Sequence, residues 1–187
     1  MTSLVAPEKK KLEQPPLELH YLGDRVLRSP AKRIAKVDES VRSLAREMLQ
    51  TMYSSEGIGL AAPQVAVNKQ LIVIDCEPDN PANPPLILIN PEIKSFSKQL
   101  CDAQEGCLSI PGVYLDVTRP AAIEVAYKDE SGRPRRLKTN DLLARAIQHE
   151  MDHLRGVLFV DRVTNGLALT EELKKHNFSV NAVKPVA

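Results

Sequence analysis

Apolar residues fall at helical spacing in two stretches of the chain and in short runs nearly everywhere between them. From Asp38, Val41, Leu44, Ala45, Met48, Leu49 and Met52 form an i, i+3, i+4, i+7 stripe, which predicts an amphipathic helix with a buried face. A second periodic stretch starts at the cap-type Asn140, carries Leu142, Leu143, Ala146, Ile147 and Leu154, and stops at Gly156. Between them, Gln70–Cys76 and Leu86–Asn90 are unbroken apolar runs and read as buried strands. Ile93–Leu100 alternates loosely, Val113–Val117 and Ile123–Lys128 continue the rhythm, and Ser131-Gly132 reads as a hairpin tip leading into Arg135–Thr139. Leu17–Val37 reads as extended or turn-rich, residues 157–163 as a short strand or loop, and Leu167–Lys175 as a brief helix. Many short strands, then one buried helix, predict an α+β fold with antiparallel β-sheets surrounding that central helix.

With 187 residues, 43% of them apolar, and a net charge of +1, the chain can fill one core and is too short for two ordinary domains. The expected division is a flexible tail at 1–16, a single catalytic domain at 17–175 and a loose tail at 176–187. The polar, lysine-rich first residues also raise the idea of a transit peptide, against which stand Glu8, Glu13 and the lack of arginine. Near-neutral charge gives no reason to expect nucleic acid or membrane as partner, and no apolar run approaches a membrane span. Cys76, Cys101 and Cys107, an odd number without a secretory leader, point to a reducing compartment and at least one functional thiol. Cys76 and Cys101 end strand-like runs without a ligand partner nearby and are expected to be buried structural thiols.

The buried helix carries the chemistry. His149 and His153 are four residues apart, so both rings leave the same face and can hold one metal ion, which makes this the metal-binding helix. Glu150 lies beside the first ring, where a carboxylate can take a proton from a water at the ion and later hand it on. Two histidines need a third protein ligand. Read as an H-E-x-x-H endopeptidase of the thermolysin kind, the chain offers Glu171 or Glu172 downstream; read otherwise, it offers Cys107 upstream. A purely structural, non-catalytic zinc-binding module is the remaining alternative.

Three motifs, GIGLAAPQV at 57–65, EGCLS at 105–109 and QHEMDH at 148–153, resemble in sequence and order those of the peptide deformylases. These metalloenzymes remove the N-terminal formyl group from nascent bacterial and organellar proteins. The segment after Cys107, SIPGVYLDVTRP, resembles the type IB branch of plant organelles and some bacteria. The resemblance spans roughly residues 17–165 and implies that Cys107, His149 and His153 are the metal ligands. It implies catalytic roles for Glu150 as proton carrier and for Gln64 and the Leu108 backbone N–H as oxyanion donors. Ile58, Gly59, Tyr114, Leu142 and Ala146 are then expected to bind substrate, and Arg119 to pair with Glu105 and hold the cysteine-bearing turn. The expected cofactor is one divalent ion per chain, Fe²⁺ natively, with Zn²⁺, Ni²⁺ or Co²⁺ able to replace it. The expected partners are N-formylmethionyl nascent peptides and the ribosome near its exit tunnel, for a monomer in the cytoplasm, or in an organelle stroma if eukaryotic.

Overall fold

The structure, a computed structural model, describes residues 7–186. Helix α1 (Glu39–Ser54) starts where the Asp38 carboxylate caps it, accepting a hydrogen bond from the Val41 N–H at 3.2 Å. Two short strands follow, β1 (Gly59–Ala61) and β2 (Leu71–Ile74), and then the long β3 (Leu86–Phe96). Next come β4 (Leu100–Cys107), β5 (Ile110–Pro120), β6 (Ala122–Lys128) and β7 (Pro134–Asn140), which runs directly into α2 (Asp141–His153). A shorter helix, α3 (Gly166–Lys175), closes the regular structure. All named strand pairs are antiparallel, in a five-stranded sheet of order β1-β2-β3-β6-β7 and a two-stranded ribbon β4-β5.

The unbroken apolar run in β2 has a direct cause: both faces of the strand are buried. Leu71 and Val73 pack with Met48, Leu49 and Met52 of α1, whereas Ile72 and Ile74 pack with Ala146, Ile147 and Met151 of α2. The sheet thus lies between the two helices. A third cluster joins Ile110, Val113, Leu115 and Val117 of β5 to Phe159, Val160, Leu169 and Leu173; from it Phe159 stacks on His149, and Arg119 of β5 bonds Asp152, so the ribbon and the C-terminal segment close on α2 from the side away from the sheet's apolar contacts. This is the expected α+β arrangement.

Several expectations need correction. The runs Leu86–Asn90 and Ile93–Leu100 are not separate strands; β3 continues from the first into the second, as far as Phe96, by way of register shifts, and Leu100 already opens β4. At the break, Asn90 adopts φ +51°, and its side-chain amide exchanges two 2.8 Å hydrogen bonds with the Ile34 backbone. Residues 157–163 contain a 3-10 turn (Phe159–Arg162), fixed because the Asp161 carboxylate accepts from Leu158 N–H at 2.8 Å and pairs with Arg28. Cys76 is only half-buried and Cys101 is exposed, because the start of β4 lies on an outer ribbon with little packed over it. Both expected tails are docked where they are described. At the C-terminus, Lys184 N–H and Val186 N–H bind Asp161, Arg28 binds Ala182 O at 2.7 Å, and Phe178, Val180 and Val183 pack on the third cluster. At the N-terminus, Leu12 N–H and Leu17 N–H bind Ser54 Oγ and Thr51 Oγ1 of α1 at 3.1 and 3.2 Å. The expected flexibility of residues 1–6 lies outside the described residues.

Candidate active site

Four elements converge on one point. The last two turns of α2 carry His149, Glu150 and His153, and β4 ends on Cys107 just before the Leu108-Ser109 turn. Strand β1 supplies Gly59, and the 3-10 turn Ala62–Val65 supplies Gln64. Among the described residues, Cys107, His149 and His153 form a group whose ligand atoms all lie within 4.8 Å of one another. Cys107 Sγ is 3.3 Å from His153 Nε2. With bonds of about 2.0–2.3 Å from a divalent ion to nitrogen and sulfur, that is about the edge of a coordination tetrahedron. His153 Nδ1 is buried without a protein partner. His149 donates from Nδ1 to Glu105 Oε2 at 2.9 Å, which leaves its Nε2 lone pair for an ion. Two imidazoles and a thiol, with three protein ligands in all, suit a divalent metal that keeps an open position.

The electrostatics agree. Burial works against a charge on His149, but Cys107 and Glu105 outweigh it and hold the ring well above its usual range. His153 is pushed well below its usual range by burial and by the neighbouring His149 charge. Two adjacent buried rings therefore compete for one positive charge, a competition a cation between them removes. Behind the ligands, burial tends to raise the Glu105 carboxyl, yet hydrogen bonds from Arg119 and His149 keep it well below the usual carboxylate range. Arg119 Nη2 and Arg145 Nη1 reach its two oxygens at 2.9 and 2.8 Å. Arg119 also reaches Asp152 at 2.8 Å, and Arg162 clamps Asp152 from the other side at 2.6 and 2.7 Å.

Glu150 is the opposite case. It is buried, its Oε2 has no partner, and burial pushes its carboxyl up to about 7. Glycine at position 59 makes room for it, since a Cβ there would stand 2.4 Å from Glu150 Oε1 and the carboxylate would have to shift. Gln64 is held by one end: Oε1 accepts from Ala61 N–H at 2.8 Å, and Nε2 points at Ser109 Oγ (3.0 Å) and Cys107 Sγ (3.5 Å). A donor is thereby aimed across the thiol.

These groups open into a cleft of about 410 Å³ whose lining includes Ile58, Gly59, Tyr114, Leu142 and Ala146. Leu108 lines it as well, and Gly57 lets the Leu108 side chain lie against the backbone, where a Cβ would come to 2.7 Å from it. Leu142, which belongs to the apolar periodicity of its helix and is also expected at the substrate, is half exposed at the cleft, at the first turn of α2. The expected Arg119–Glu105 pair is present. Glu172 pairs with Lys175 and His176 on α3, and neither it nor Glu171 lines the cleft. Sequence reasoning missed Arg145, Asp152, Arg162 and Ser109. Arg145 had a signal: it is one helical turn before His149 and so on the same face.

Comparison with known proteins follows the same lines. The family model of polypeptide deformylases matches residues 16–167. The chain is 74% identical to peptide deformylase 1 of Nostoc sp. strain PCC 7120 and 68% identical to the peptide deformylase of Synechocystis sp. strain PCC 6803, over all of both chains in each case. Among solved structures, it is similar to the peptide deformylase of Synechococcus elongatus crystallised with actinonin, with TM-score 0.96, 64% identity and full coverage of both chains. A plant peptide deformylase gives TM-score 0.81 at 38% identity, covering 88% of this chain and 89% of that one.

Proposed function

This chain belongs to the polypeptide deformylase family, a metal-dependent hydrolase that removes the N-terminal formyl group and releases formate, and from that premise we propose a role for each residue of its cleft. The zinc endopeptidase reading finds no support: Glu171 and Glu172 are away from the cleft, and the family does other chemistry. In our reading Cys107, His149 and His153 hold the ion, Fe²⁺ natively, with zinc, nickel or cobalt as possible replacements. The thiolate brings negative charge to a soft donor set. When bound, the ion supplies Lewis acidity, activating water and polarising the formyl oxygen.

The rest belongs to the chain's own side chains. Glu150 takes the proton from the attacking water and returns it to the departing amine; a carboxyl near neutrality is suited to both transfers. Gln64 Nε2 and the Leu108 N–H donate to the oxygen that becomes negative as the formyl carbon turns tetrahedral. Ile58 and Gly59 offer an edge of backbone to the formyl-methionyl peptide, in the manner of an added strand. Tyr114, Leu142 and Ala146 close around its side chains. Glu105 and Arg119 hold His149 and the Cys107 strand end in place.

We further assign the substrate as nascent chains near the ribosomal exit tunnel, met by a monomer in the cytoplasm. No helix among the described residues is long and apolar enough to cross a membrane. The observation that carries this reading is the unpartnered Glu150 oxygen beside a cluster of two buried histidines and the half-buried Cys107. The test is formate release from formyl-Met-Ala-Ser under anaerobic conditions, with metal analysis of the same sample. Release that scales with bound metal, and that fades in air for the iron form as the thiolate oxidises, is expected. Metal content unchanged in Cys107→Ser would contradict the ligand assignment.

A further inference from the structure

Behind the cleft rim lies a second polar cluster, built on a buried carboxylate, that the reaction does not use. Lys9, from the segment expected to be a loose tail, inserts its ammonium between Asp75 Oδ2 (2.7 Å) and the carbonyl oxygens of Asn83 (2.7 Å), Asn80 (2.8 Å) and Glu77 (3.3 Å). The Asp75 side chain is 1% exposed. Its Oδ2 also accepts from Tyr53 Oη at 2.8 Å and its Oδ1 from Glu77 N–H at 3.0 Å, while its own N–H donates to Ile58 O at 2.8 Å.

The topology gives this cluster a consequence. Tyr53 is in the last turn of α1, and Ile58 precedes β1; between them, residues 55–57 form the rim of the cleft. Asp75 therefore grips both ends of one short loop, one through its side chain and the other through its backbone. The same N-terminal segment braces the rim twice more, by Lys11 to Glu56 at 3.3 Å and by Leu12 N–H to Ser54 Oγ at 3.1 Å. A buried carboxylate needs a compensating cation, and among the described residues Lys9 is the cation in contact with it.

We propose that Lys9 and Asp75 are positioning residues for the reaction: a clasp that fixes the Tyr53–Ile58 loop, and through it the Ile58–Gly59 edge on which the peptide backbone aligns. The inference rests on the assignment of that edge to substrate. Without the ammonium, Asp75 is a buried charge with no counter-ion, and it relaxes by turning toward water and releasing the loop. The ligands and Glu150, carried on α2 and β4, stay in place.

The test measures kcat, KM and metal content of full-length Lys9→Met, Lys9→Met/Asp75→Asn and Ile58→Gly with formyl-Met-Ala-Ser. Lys9→Met should raise KM about five- to tenfold at nearly unchanged kcat and metal content, a loss of uniform binding. Lys9→Met/Asp75→Asn should recover most of that loss, because a neutral pair leaves no charge stranded. A merely structural lysine would show no such recovery. An unchanged KM in Lys9→Met, or a double variant worse than the single, overturns the clasp. If Ile58→Gly raises KM while Lys9→Met does not, the substrate edge stands and the clasp alone fails; if neither does, the edge assignment fails and takes the clasp with it.

Discussion

Two buried glutamates flank the same pair of imidazoles and live in opposite environments. Glu105, behind His149, is met by Arg119, Arg145 and the His149 N–H, so its charge is stabilised despite burial. Glu150, in front, has a buried oxygen with no partner, and its proton is held up to about 7. Burial is nearly the same for both, at 5% exposed. What differs is the supply of donors. The region behind the ligands is saturated with hydrogen bonds and is suited to holding geometry; the region in front is left unsatisfied and is suited to exchanging protons.

Variants that erase this difference should do so unequally. The largest effect is expected for Glu150→Gln, which keeps the shape and removes the proton carrier: kcat should fall about 10²–10⁴-fold, with metal content unchanged. Gln64→Ala removes one oxyanion donor and should lower kcat by about 10²–10³-fold, again at constant metal content. Glu105→Gln acts on the other side. Metal affinity should drop about 10–100-fold, as measured by competition with a chelator, because His149 loses the acceptor that orients it. It should also lower stability by about 3–5 kcal/mol in urea titration, since Arg119 and Arg145 are left facing a neutral amide.

The smallest effect concerns an ordinary carboxylate remote from the cleft, which calibrates the other two. Asp129, at the β6–β7 hairpin, accepts from Ser131 and Arg133 N–H and from Arg135 Nε at 2.7 Å. Burial opposes its charge, but Arg135 and the two backbone donors outweigh that and lower its pKa. A depressed carboxyl contributes stability above its unfolded value near 4 and loses it as pH falls through the folded value. Asp129→Asn should therefore cost about 1 kcal/mol or less at pH 7, and the gap to wild type should close near pH 2. A gap that widens in acid would reverse the sign of the argument.

Much of this is legible in the sequence. The stripe from Val41 to Met52 is a helix because six apolar positions share one face, and Leu71–Ile74 is a strand because both its sides are covered. The spacing of His149 and His153 places the rings together without knowledge of the rest of the fold. What escaped depends on distance in space. Nothing local to Lys9 marks it as the counter-ion of Asp75, 66 positions away, and nothing local to Arg145 says that Glu105 lies beside it. Strand β3 reads as two pieces because its apolar run stops at Asn90, while the protein uses Asn90 in a bulge and resumes pairing beyond it. Cys101 escapes for a different reason: a strand-like run predicts a strand, not which side of it is covered.

The ligand set can be tested most directly by X-ray absorption on the zinc-loaded protein. One sulfur at about 2.3 Å and two imidazole nitrogens at about 2.0–2.1 Å are expected, with the sulfur shell absent in Cys107→Ser. A first shell of nitrogen and oxygen alone, identical in the two proteins, would contradict the account.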